Sequence, residues 1–561
     1  MRGRWTFDPS KHGWPGRCDL AWRGRHVPDD GDFCIAEIDD DGNAWLVEVL
    51  GADDRPQWDD HAIASQFRLR TRFPAEATHA ADAAHEPGAR ERAGREDLRE
   101  HLAFTIDPDD AQDHDDALSL HPRDDGRWEV GVHIADVSHY VAEGGAIDRE
   151  ASERGTSTYL PSGAIPMLPA RLSNDLCSLR PERDRLALSV FVTLDAHGRR
   201  HDVRFAETVI RSRHRLTYGD VQAWFDGDRR LAGAIGDALD RLRALARALR
   251  ARRLTRGALE LEVQEVRARV DAEGGVLALE RRAHLESHEL IEEFMLLANR
   301  CVGEEGARRN AGLLYRVHDP PSPRKIAELD GMLQALGLPR PGRLDDPARA
   351  LQAVLAAPLD PPRRRLVHRL VLRSMTRARY LEADTGHFGL AAREYCHFTS
   401  PIRRYPDLHN HRRVREWLHG RPTGAWDPVA LARTAGKATA TEQNATEAER
   451  DAVKVKGLRV LEPRLGDRMP GTISGFVRQG FFVELDEVPV EGFVRVALYV
   501  EDHFTLDASG VRMTGRRTRS RFSLGDAVQV TVARVDVPAR ECDLALDPVP
   551  RRHRRHHHGR H

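Results

Sequence analysis

One stretch constrains the fold of this chain more than any other. Residues 104–120 read "FTIDPDDAQDHDDALSL", which places six aspartates within ten residues, between two apolar pieces. Like charges repel each other, and an unpaired carboxylate that leaves water is costly. An EF-hand calcium loop is excluded because the fifth, sixth and twelfth positions, counted from Asp107, are Ala111, Gln112 and Leu118. What remains is a solvated acidic loop or a site for another cation.

The apolar flanks favour the cation site. Residues 104–106 and 117–120 are strand-like, and Asp113, Asp115 and Asp116 lie at or just before the start of the second run. Carboxylates at a strand edge, partly out of water, need a cation, and oxygen-only ligands at this density suit Mg²⁺ or Mn²⁺. Two such ions roughly 4 Å apart would support in-line displacement at a phosphate.

Composition sets the broad class. The chain has 561 residues, enough for three or four domains, and its 40% hydrophobic and 31% charged residues are typical of a globular protein. A net charge of −2 argues neither for nor against nucleic acid. The six scattered cysteines form no C-x-x-C pair, and there is neither a signal-peptide pattern nor an apolar run of membrane length. We therefore expect a cytoplasmic protein without a membrane partner.

The pattern along the chain divides it into segments. We predict a small β module over 1–75, a linker over 76–98, a large mixed α/β region over 99–418, a helical segment over 419–463, a β region over 464–548, and a basic disordered tail over 549–561. A hairpin turn is expected at 40–43. An amphipathic helix within 287–308 has an apolar face made of Leu290, Ile291, Phe294, Leu297 and Ala298.

Seven sequence blocks together resemble a known family, the ribonuclease II / ribonuclease R exoribonucleases, whose catalytic unit is the RNB domain. The blocks are "TIDPDDAQDHDDA", "HIADVSHYV", "RGTSTYLPSGAIPMLPARLSNDLCSLRPERDRLALS", "LTYGDV", "SHELIEEFMLLAN", "LLYRVHDPPSP" and "HFTSPIRRYPDLHNHR". The resemblance implies a multidomain α+β fold with a central RNB domain and flanking small β-barrels. It implies a hydrolytic 3′→5′ exoribonuclease that degrades single-stranded RNA to nucleoside 5′-monophosphates by a two-metal-ion mechanism.

The same resemblance implies roles for residues of the catalytic site. Asp107, Asp113, Asp115 and Asp116 match the aspartates that surround Mg²⁺ (or Mn²⁺), and loss of Asp115 is expected to be the most damaging. Asp109 and Asp110 fall in a variable gap and are assigned no role. Arg403 matches the arginine at the scissile phosphate, where a fixed guanidinium offsets developing negative charge.

Further positions are expected to contact RNA. Tyr159 matches a tyrosine that stacks on the terminal bases. Tyr218 and Glu292 match residues that sense the ribose 2′-hydroxyl; Glu292 is preferred to Glu293, and Asn299 is predicted on the same exposed helix face. Leu261 stands near the position where the family commonly carries an aromatic wall for the terminal base, so the end-product length is left open.

The flanking modules are predicted from weaker matches. Residues 464–548 resemble an S1 domain in which Phe476, Phe481 and Phe482 are candidates for base stacking; Phe476 with one of the other two is expected to be exposed, and the alternative is barrel core. Arginines crowd nearby at 512–521. Residues 1–75 have room for about one OB or cold-shock module, where relatives usually carry two.

Two rival functions are kept open. An RNB fold without chemistry would bind RNA and leave it intact, and a metal-dependent phosphatase would explain the aspartates without Tyr159 or the S1-like barrel. We expect a monomer whose partner is single-stranded RNA.

Overall fold

The computed structural model describes residues 5–7, 18–21, 29, 32–38, 44–52, 55–228, 231, 233–262, 265–342, 346–421, 426–496 and 502–546. Within these ranges, two closed five-stranded barrels organise the chain, one in the centre and one near the C-terminus. A helix of 34 residues, about 50 Å long, lies between them in the chain. No helix in the described ranges has the length and apolar character needed to cross a membrane.

The N-terminal segment forms a four-stranded sheet in the order β1-β2-β4-β3. Its strands and the helix that follows are β1 Trp5–Phe7, β2 Cys18–Ala21, β3 Asp32–Ile38, β4 Ala44–Ala52 and α1 Asp59–Gln66. Strands β3 and β4 pair antiparallel, as the predicted hairpin requires, while the predicted turn over 40–43 lies outside the described residues.

The segment predicted as a linker is packed against the central domain. It contains α2 Ala75–Asp82 and α3 Ala89–Arg92, and the first barrel strand already begins at Glu96. Ala77 and Ala81 are fully buried. Alanines at this spacing bring a helix close to its neighbour but give little apolar periodicity, which is why the sequence indicates a linker, in part helical, where the structure has two short packed helices.

The central barrel has the strand order β10-β11-β5-β6-β7. The elements of this region are β5 Glu96–Asp107, β6 Asp116–Pro122, β7 Trp128–Ala135, α4 Val137–Tyr140, α5 Ala146–Arg154, β8 Thr158–Leu160, β9 Gly163–Ile165, β10 Asp184–Leu194 and β11 Arg200–Thr217. Apolar side chains such as Phe104, Leu118 and Val132 are fully buried in its core. Because β5 ends at Asp107 and β6 begins at Asp116, the aspartate run is the connection between two barrel strands.

Helices pack around this barrel. They are α6 Tyr218–Asp226, α7 Ala234–Thr255 and α8 Glu286–Arg309, with the hairpin strands β12 Glu265–Val270 and β13 Val276–Arg282 between α7 and α8. The apolar face predicted for α8 is confirmed, since Leu290, Ile291, Phe294, Leu297 and Ala298 are all buried in the barrel-side core.

The rest of the central region is mainly helical. Its elements are β14 Tyr315–Val317, α9 Pro323–Leu336, α10 Pro347–Leu355, α11 Pro361–Ser374, β15 Arg379–Leu381, α12 Tyr405–Leu418 and α13 Pro428–Leu461. Helix α13 contacts α1, β8, β12 and β15, so it joins the N-terminal segment to the central region. Its fully buried Lys456 donates to Asp59 and to two backbone carbonyls.

The C-terminal barrel has the order β16-β17-β18-β23-β22 and carries a small three-stranded sheet, β19-β20-β21. The strands are β16 Arg468–Val477, β17 Gly480–Leu485, β18 Glu491–Val494, β19 Phe504–Leu506, β20 Arg512–Gly515, β21 Arg521–Ser523, β22 Ala527–Asp536 and β23 Glu541–Leu546. The predicted tail over 549–561 lies outside the described residues.

Candidate active site at the mouth of the central barrel

The acidic side chains gather where two barrel strands separate. Strands β5 and β6 pair only at Ala103–Ser119 and Phe104–Leu118. Beyond those pairs β5 continues beside β11 as far as Asp107, so the barrel is open between β5 and β6 at this end. Asp107 therefore stands at the end of one strand and Asp116 at the start of the other, on the two sides of the opening.

The outer part of the connecting loop is held by arginines. Arg215 on β11 donates to the carbonyls of Asp109 at 2.6 Å and Ala111 at 3.3 Å. Arg267 on β12 forms an ion pair with the side chain of Asp110. Asp109 and Asp110 are exposed on this outer turn, away from the strand ends. The loop conformation is thus fixed independently of any cation.

Asp115 joins this loop to a second one. Its side chain is 3% exposed, and it accepts from the backbone N–H of Ile402 at 2.9 Å and from Nε of Arg403 at 3.3 Å. Arg403 itself remains partly exposed. The predicted aspartate and the predicted arginine, 288 positions apart in sequence, are therefore neighbours in the fold.

Two of the carboxylates here, Asp115 and Asp116, have pKa values above the usual range of an aspartate. Burial raises the pKa of Asp115 well above its usual range; Arg403 opposes the rise, and the charges of Asp113 and Asp116 add to it. Burial also raises the pKa of Asp116 to about 7, with a further contribution from Asp107. Crowded carboxylates with raised pKa values are stabilised as anions by a bound cation.

The donor set fits a hard divalent cation, but it is not assembled around one. No group of three or more histidine, cysteine, aspartate or glutamate side chains within the described ranges is already arranged to hold an ion. Asp113 instead accepts from the hydroxyl of Tyr159 at 3.3 Å, and Asp115 is turned toward Arg403. Asp107 keeps a buried oxygen, Oδ2, without a hydrogen-bond partner. The oxygen ligands suit Mg²⁺ or Mn²⁺, which would displace the protein partners of Asp113 and Asp115.

The loop that carries Arg403 is braced by a residue that the sequence analysis missed. Asp407, which is fully buried, accepts from the N–H of Ser400 at 2.8 Å and from Nε and Nη2 of Arg404 at 2.9 and 2.7 Å. Arg404 is therefore engaged in the scaffold, which leaves Arg403 to face the opening. The spacing Arg-x-x-Asp at a helix start would have been a signal for this brace.

Tyr159 stands beside the same opening. It lies on β8 with 44% of its surface exposed, and its backbone N–H donates to Oε1 of Glu449 at 2.7 Å. The adjoining N–H of Ser157 donates to the carbonyl of Arg403 at 2.9 Å, which ties this strand to the arginine loop. Glu449 projects from α13, and burial raises its pKa. From sequence, Glu449 in "EAERD" loosely matches a family glutamate near the active-site exit, although a surface helix is the safer interpretation; its contact with Tyr159 was not predicted.

The two residues expected to sense ribose lie in one neighbourhood. Tyr218 begins α6, and its ring stacks on His288 with centroids 4.1 Å apart. His288 in turn stacks on His284, whose Nε2 is 3.8 Å from Glu292. Glu293 is buried and paired with Arg253 at 2.6 Å. The structure thus makes Glu292, and not Glu293, the accessible carboxylate.

Asn299 corrects the sequence analysis. It is 3% exposed, whereas we expected it on the exposed face with Glu292. Its Nδ2 donates to the hydroxyl of Tyr395 at 3.2 Å, and its Oδ1 accepts from the N–H of Phe398 at 2.8 Å. A buried amide with both ends satisfied is a scaffold contact. Asn299 supports the segment that leads to the arginine loop.

The aromatics of the C-terminal barrel divide by strand alternation. Phe481 is fully buried and packs with Phe522, which makes it barrel core, the alternative that the sequence left open, and leaves Phe482 as the more exposed of the two rings. Phe482, on the opposite face of β17, is partly exposed and packs beside Phe493. Phe476 is also partly exposed. The arginines that are exposed in the basic stretch nearby are Arg516, Arg517, Arg519 and Arg521.

The side chain of Leu261 does not project freely, as one side of a base-binding pocket would. It is partly buried and packs against the apolar cluster formed by α9, α10 and α11, which includes Leu329, Leu351 and Val367. A larger ring at this position would have to displace these neighbours or extend beyond them.

Comparisons with known proteins agree with this geometry. The RNB domain family matches residues 95–420, and the S1 RNA binding domain matches residues 462–546. Ribonuclease R of Aquifex aeolicus is 37% identical over 496 residues, which cover 88% of this chain and 70% of that protein. Ribonuclease R of Thermotoga maritima is 37% identical over 518 residues, with 90% and 72% covered. The structure of Mycoplasma genitalium RNase R in complex with ribose methylated single-stranded RNA is 26% identical, with a TM-score of 0.86 over 94% of this chain and 85% of that chain.

An open-mouthed barrel with buried carboxylates beside an arginine, joined to an S1-type barrel, defines the class as a hydrolase of nucleic acid. The chain belongs to the RNB family, the 3′→5′ exoribonucleases of the ribonuclease II and ribonuclease R type. The expected family, the multidomain α+β fold class and the enzyme class are thereby confirmed.

Proposed function

We propose that this chain hydrolyses single-stranded RNA from its 3′ end and releases nucleoside 5′-monophosphates, with divalent cations held by Asp107, Asp113, Asp115 and Asp116. The observation that carries the proposal is the placement of buried carboxylates with raised pKa values beside Arg403, at the opening between β5 and β6. Mg²⁺ or Mn²⁺, when bound, would supply positive charge to the phosphate and promote the ionisation of water.

The remaining work falls to side chains of this protein. Hydrolysis adds a water oxygen to phosphorus and breaks the bond from phosphorus to the 3′-oxygen, which takes up a proton. Negative charge grows on the non-bridging oxygens during this step, and the guanidinium of Arg403 is positioned to offset it. Tyr159 offers an exposed ring on which the terminal base can stack.

RNA selection is assigned to the Tyr218–His288–His284–Glu292 neighbourhood. A carboxylate accepts a hydrogen bond from a ribose 2′-hydroxyl, which DNA lacks. Glu292 is exposed and is therefore available for this contact, whereas Glu293 is not. Asn299 is reassigned as a positioning residue.

The flanking modules are assigned to guiding the strand. Phe476 and Phe482, with the exposed arginines at 516–521, combine stacking surface with positive charge, as tracks for single strands do. We also propose that the enzyme acts as a monomer in the cytoplasm, where the five cysteines found free in the structure would stay reduced.

Incubation of the full chain with 5′-labelled single-stranded RNA and Mg²⁺ tests the proposal. We expect a ladder of progressively shorter labelled products, release of nucleoside 5′-monophosphates, and complete loss of both when EDTA is added. An intact RNA that still binds the protein would favour the non-catalytic alternative. Release of inorganic phosphate, without shortening of the RNA, would favour the phosphatase.

A further inference from the structure

One histidine lies inside the aspartate run and has no part in the roles assigned above. His114 stands between Asp113 and Asp115 and is 4% exposed. Its Nδ1 is 2.8 Å from Oδ2 of Asp107, a carboxylate proposed to hold a cation. The buried ring therefore lies directly against the side chain of Asp107, the aspartate that ends β5.

The contact between these two atoms lacks the alignment of a hydrogen bond. Both Nδ1 of His114 and Oδ2 of Asp107 are buried, and neither makes a hydrogen bond, although their separation would permit one. Two neighbouring ligands of an octahedral Mg²⁺- or Mn²⁺-sized ion stand about 3 Å apart, with their lone pairs directed at the ion and not at each other. The observed separation and misalignment match that arrangement.

The backbone of His114 is hydrogen-bonded at both its N–H and its carbonyl. The N–H of His114 donates to Oγ of Ser178 at 3.0 Å, and its carbonyl accepts from the N–H of Leu179 at 3.0 Å. Ser178 also donates to the carbonyl of Gln112 at 2.7 Å, and both Ser178 and Leu179 are fully buried. A backbone fixed in this way, together with the burial of the side chain, limits the positions that the ring can take and favours pre-organisation for a ligand.

We propose that His114 is a nitrogen ligand of a divalent cation that it shares with Asp107; this inference rests on the cation site of the proposed function. The other coordination positions would be filled by the neighbouring carboxylates, water and the RNA phosphate. Imidazole is a softer ligand than carboxylate and raises affinity for transition metals relative to Mg²⁺. The site is therefore biased toward Mn²⁺, which accepts both ligand types.

Pulsed electron paramagnetic resonance of the Mn²⁺-loaded full chain, without RNA, tests this directly. We expect hyperfine coupling from a directly bound nitrogen in the wild type, a change in that coupling on isotope labelling of histidine, and its loss in His114→Phe, which keeps a ring of similar size. The control is His201→Phe. His201 pairs with Asp195 at 2.9 Å beside the turn that joins β10 to β11, so this variant should leave the signal unchanged.

Two additions keep the outcome decisive. The tail histidines can also bind metal, so each sample is measured again with glutamine at those positions, which are His553, His556, His557, His558 and His561. If His114→Phe fails to fold, as judged by metal-free thermal unfolding, His114→Asn replaces it; this variant supplies an oxygen and should bind Mn²⁺ without the nitrogen coupling.

Calorimetric titration completes the test. We expect His114→Phe to weaken Mn²⁺ binding by about tenfold or more and Mg²⁺ binding by less. Tight Mn²⁺ binding without nitrogen coupling in the wild type would overturn this inference alone, because His114 would then only orient Asp107. Absence of any Mn²⁺ or Mg²⁺ binding outside the tail would overturn the proposed cation site as well.

Discussion

The two barrels have five strands each and differ in how far one pair of neighbouring strands stays hydrogen-bonded. In the C-terminal barrel β16 and β17 stay paired from Gly471–Leu485 to Val477–Gly480, and in the central barrel β5 and β6 pair at two positions only. The first closes over an apolar core that includes Phe481. The second opens, and buried carboxylates occupy the gap. The difference teaches that a fully paired barrel can serve as a stable platform, whereas the place where strand pairing ends is where the proposed function puts the chemistry.

The largest expected effect tests the closed barrel. Phe481→Ala should destabilise the C-terminal barrel by about 3–5 kcal/mol, because it removes a fully buried ring from a packed core. Phe482→Ala, one residue further along the same strand, should cost much less and should weaken RNA binding instead. Thermal unfolding together with RNA titration measures both. Equal destabilisation by the two variants would contradict the assignment of their faces.

The next effect tests the open barrel. Arg403→Ala should lower kcat by roughly a hundredfold to a thousandfold, because it removes the group that offsets charge in the transition state. Arg403→Lys, which keeps the charge but loses the fork of donors, should fall between this variant and the wild type. Single-turnover kinetics on a short RNA gives the rates. An unchanged rate in Arg403→Ala would mean that the arginine only braces Asp115.

A smaller effect concerns the rim of the opening. Tyr159→Ala should weaken binding of the RNA 3′ end by about 1–3 kcal/mol, the usual contribution of one stacked base. Tyr159→Phe keeps the ring but loses the hydroxyl contact with Asp113, and it should bind nearly as well as the wild type. The affinities are measured by fluorescence titration, with both substitutions made in a variant that does not cleave RNA. Equal loss in both variants would assign the role to the hydroxyl.

The smallest effect concerns selection of ribose. Glu292→Ala should reduce the preference for RNA over DNA by between roughly twofold and tenfold, which is the contribution of one hydrogen bond. The measurement compares kcat/KM for matched RNA and DNA strands. Glu447→Ala is a suitable control, because Glu447 is a partly exposed glutamate of α13 that pairs with Arg377. An undiminished preference in Glu292→Ala would remove this residue from the ribose contact.

The sequence predicted the central site well where chemistry forces unusual residues together. The aspartate run and its strand-like flanks follow from charge and pattern, and the apolar face of α8 follows from helical period, whereas Arg403 was assigned through the family resemblance. Family resemblance supplied the rest of the central architecture. These features are local or are read directly from a motif.

Other features depended on tertiary contacts that no local pattern contains. Strand alternation separates Phe481 from Phe482 but does not say which face turns inward. Asn299 is buried because the segment at 395–398 packs on α8, almost a hundred residues away along the chain. The buried alanines of α2 give no hydrophobic signal. The contact of His114 with Asp107 cannot be predicted locally either, because it depends on where β5 ends and β6 begins.

The central claim, that the opening between β5 and β6 is the catalytic centre, is tested most directly by two aspartates of the same loop. Asp115→Asn should reduce the single-turnover rate of RNA cleavage by roughly a hundredfold or more while RNA affinity is retained. Asp109→Asn, at an exposed position of the loop whose contact is made by its backbone carbonyl, should leave the rate unchanged. Normal cleavage by Asp115→Asn, or equal loss in the two variants, would contradict the account.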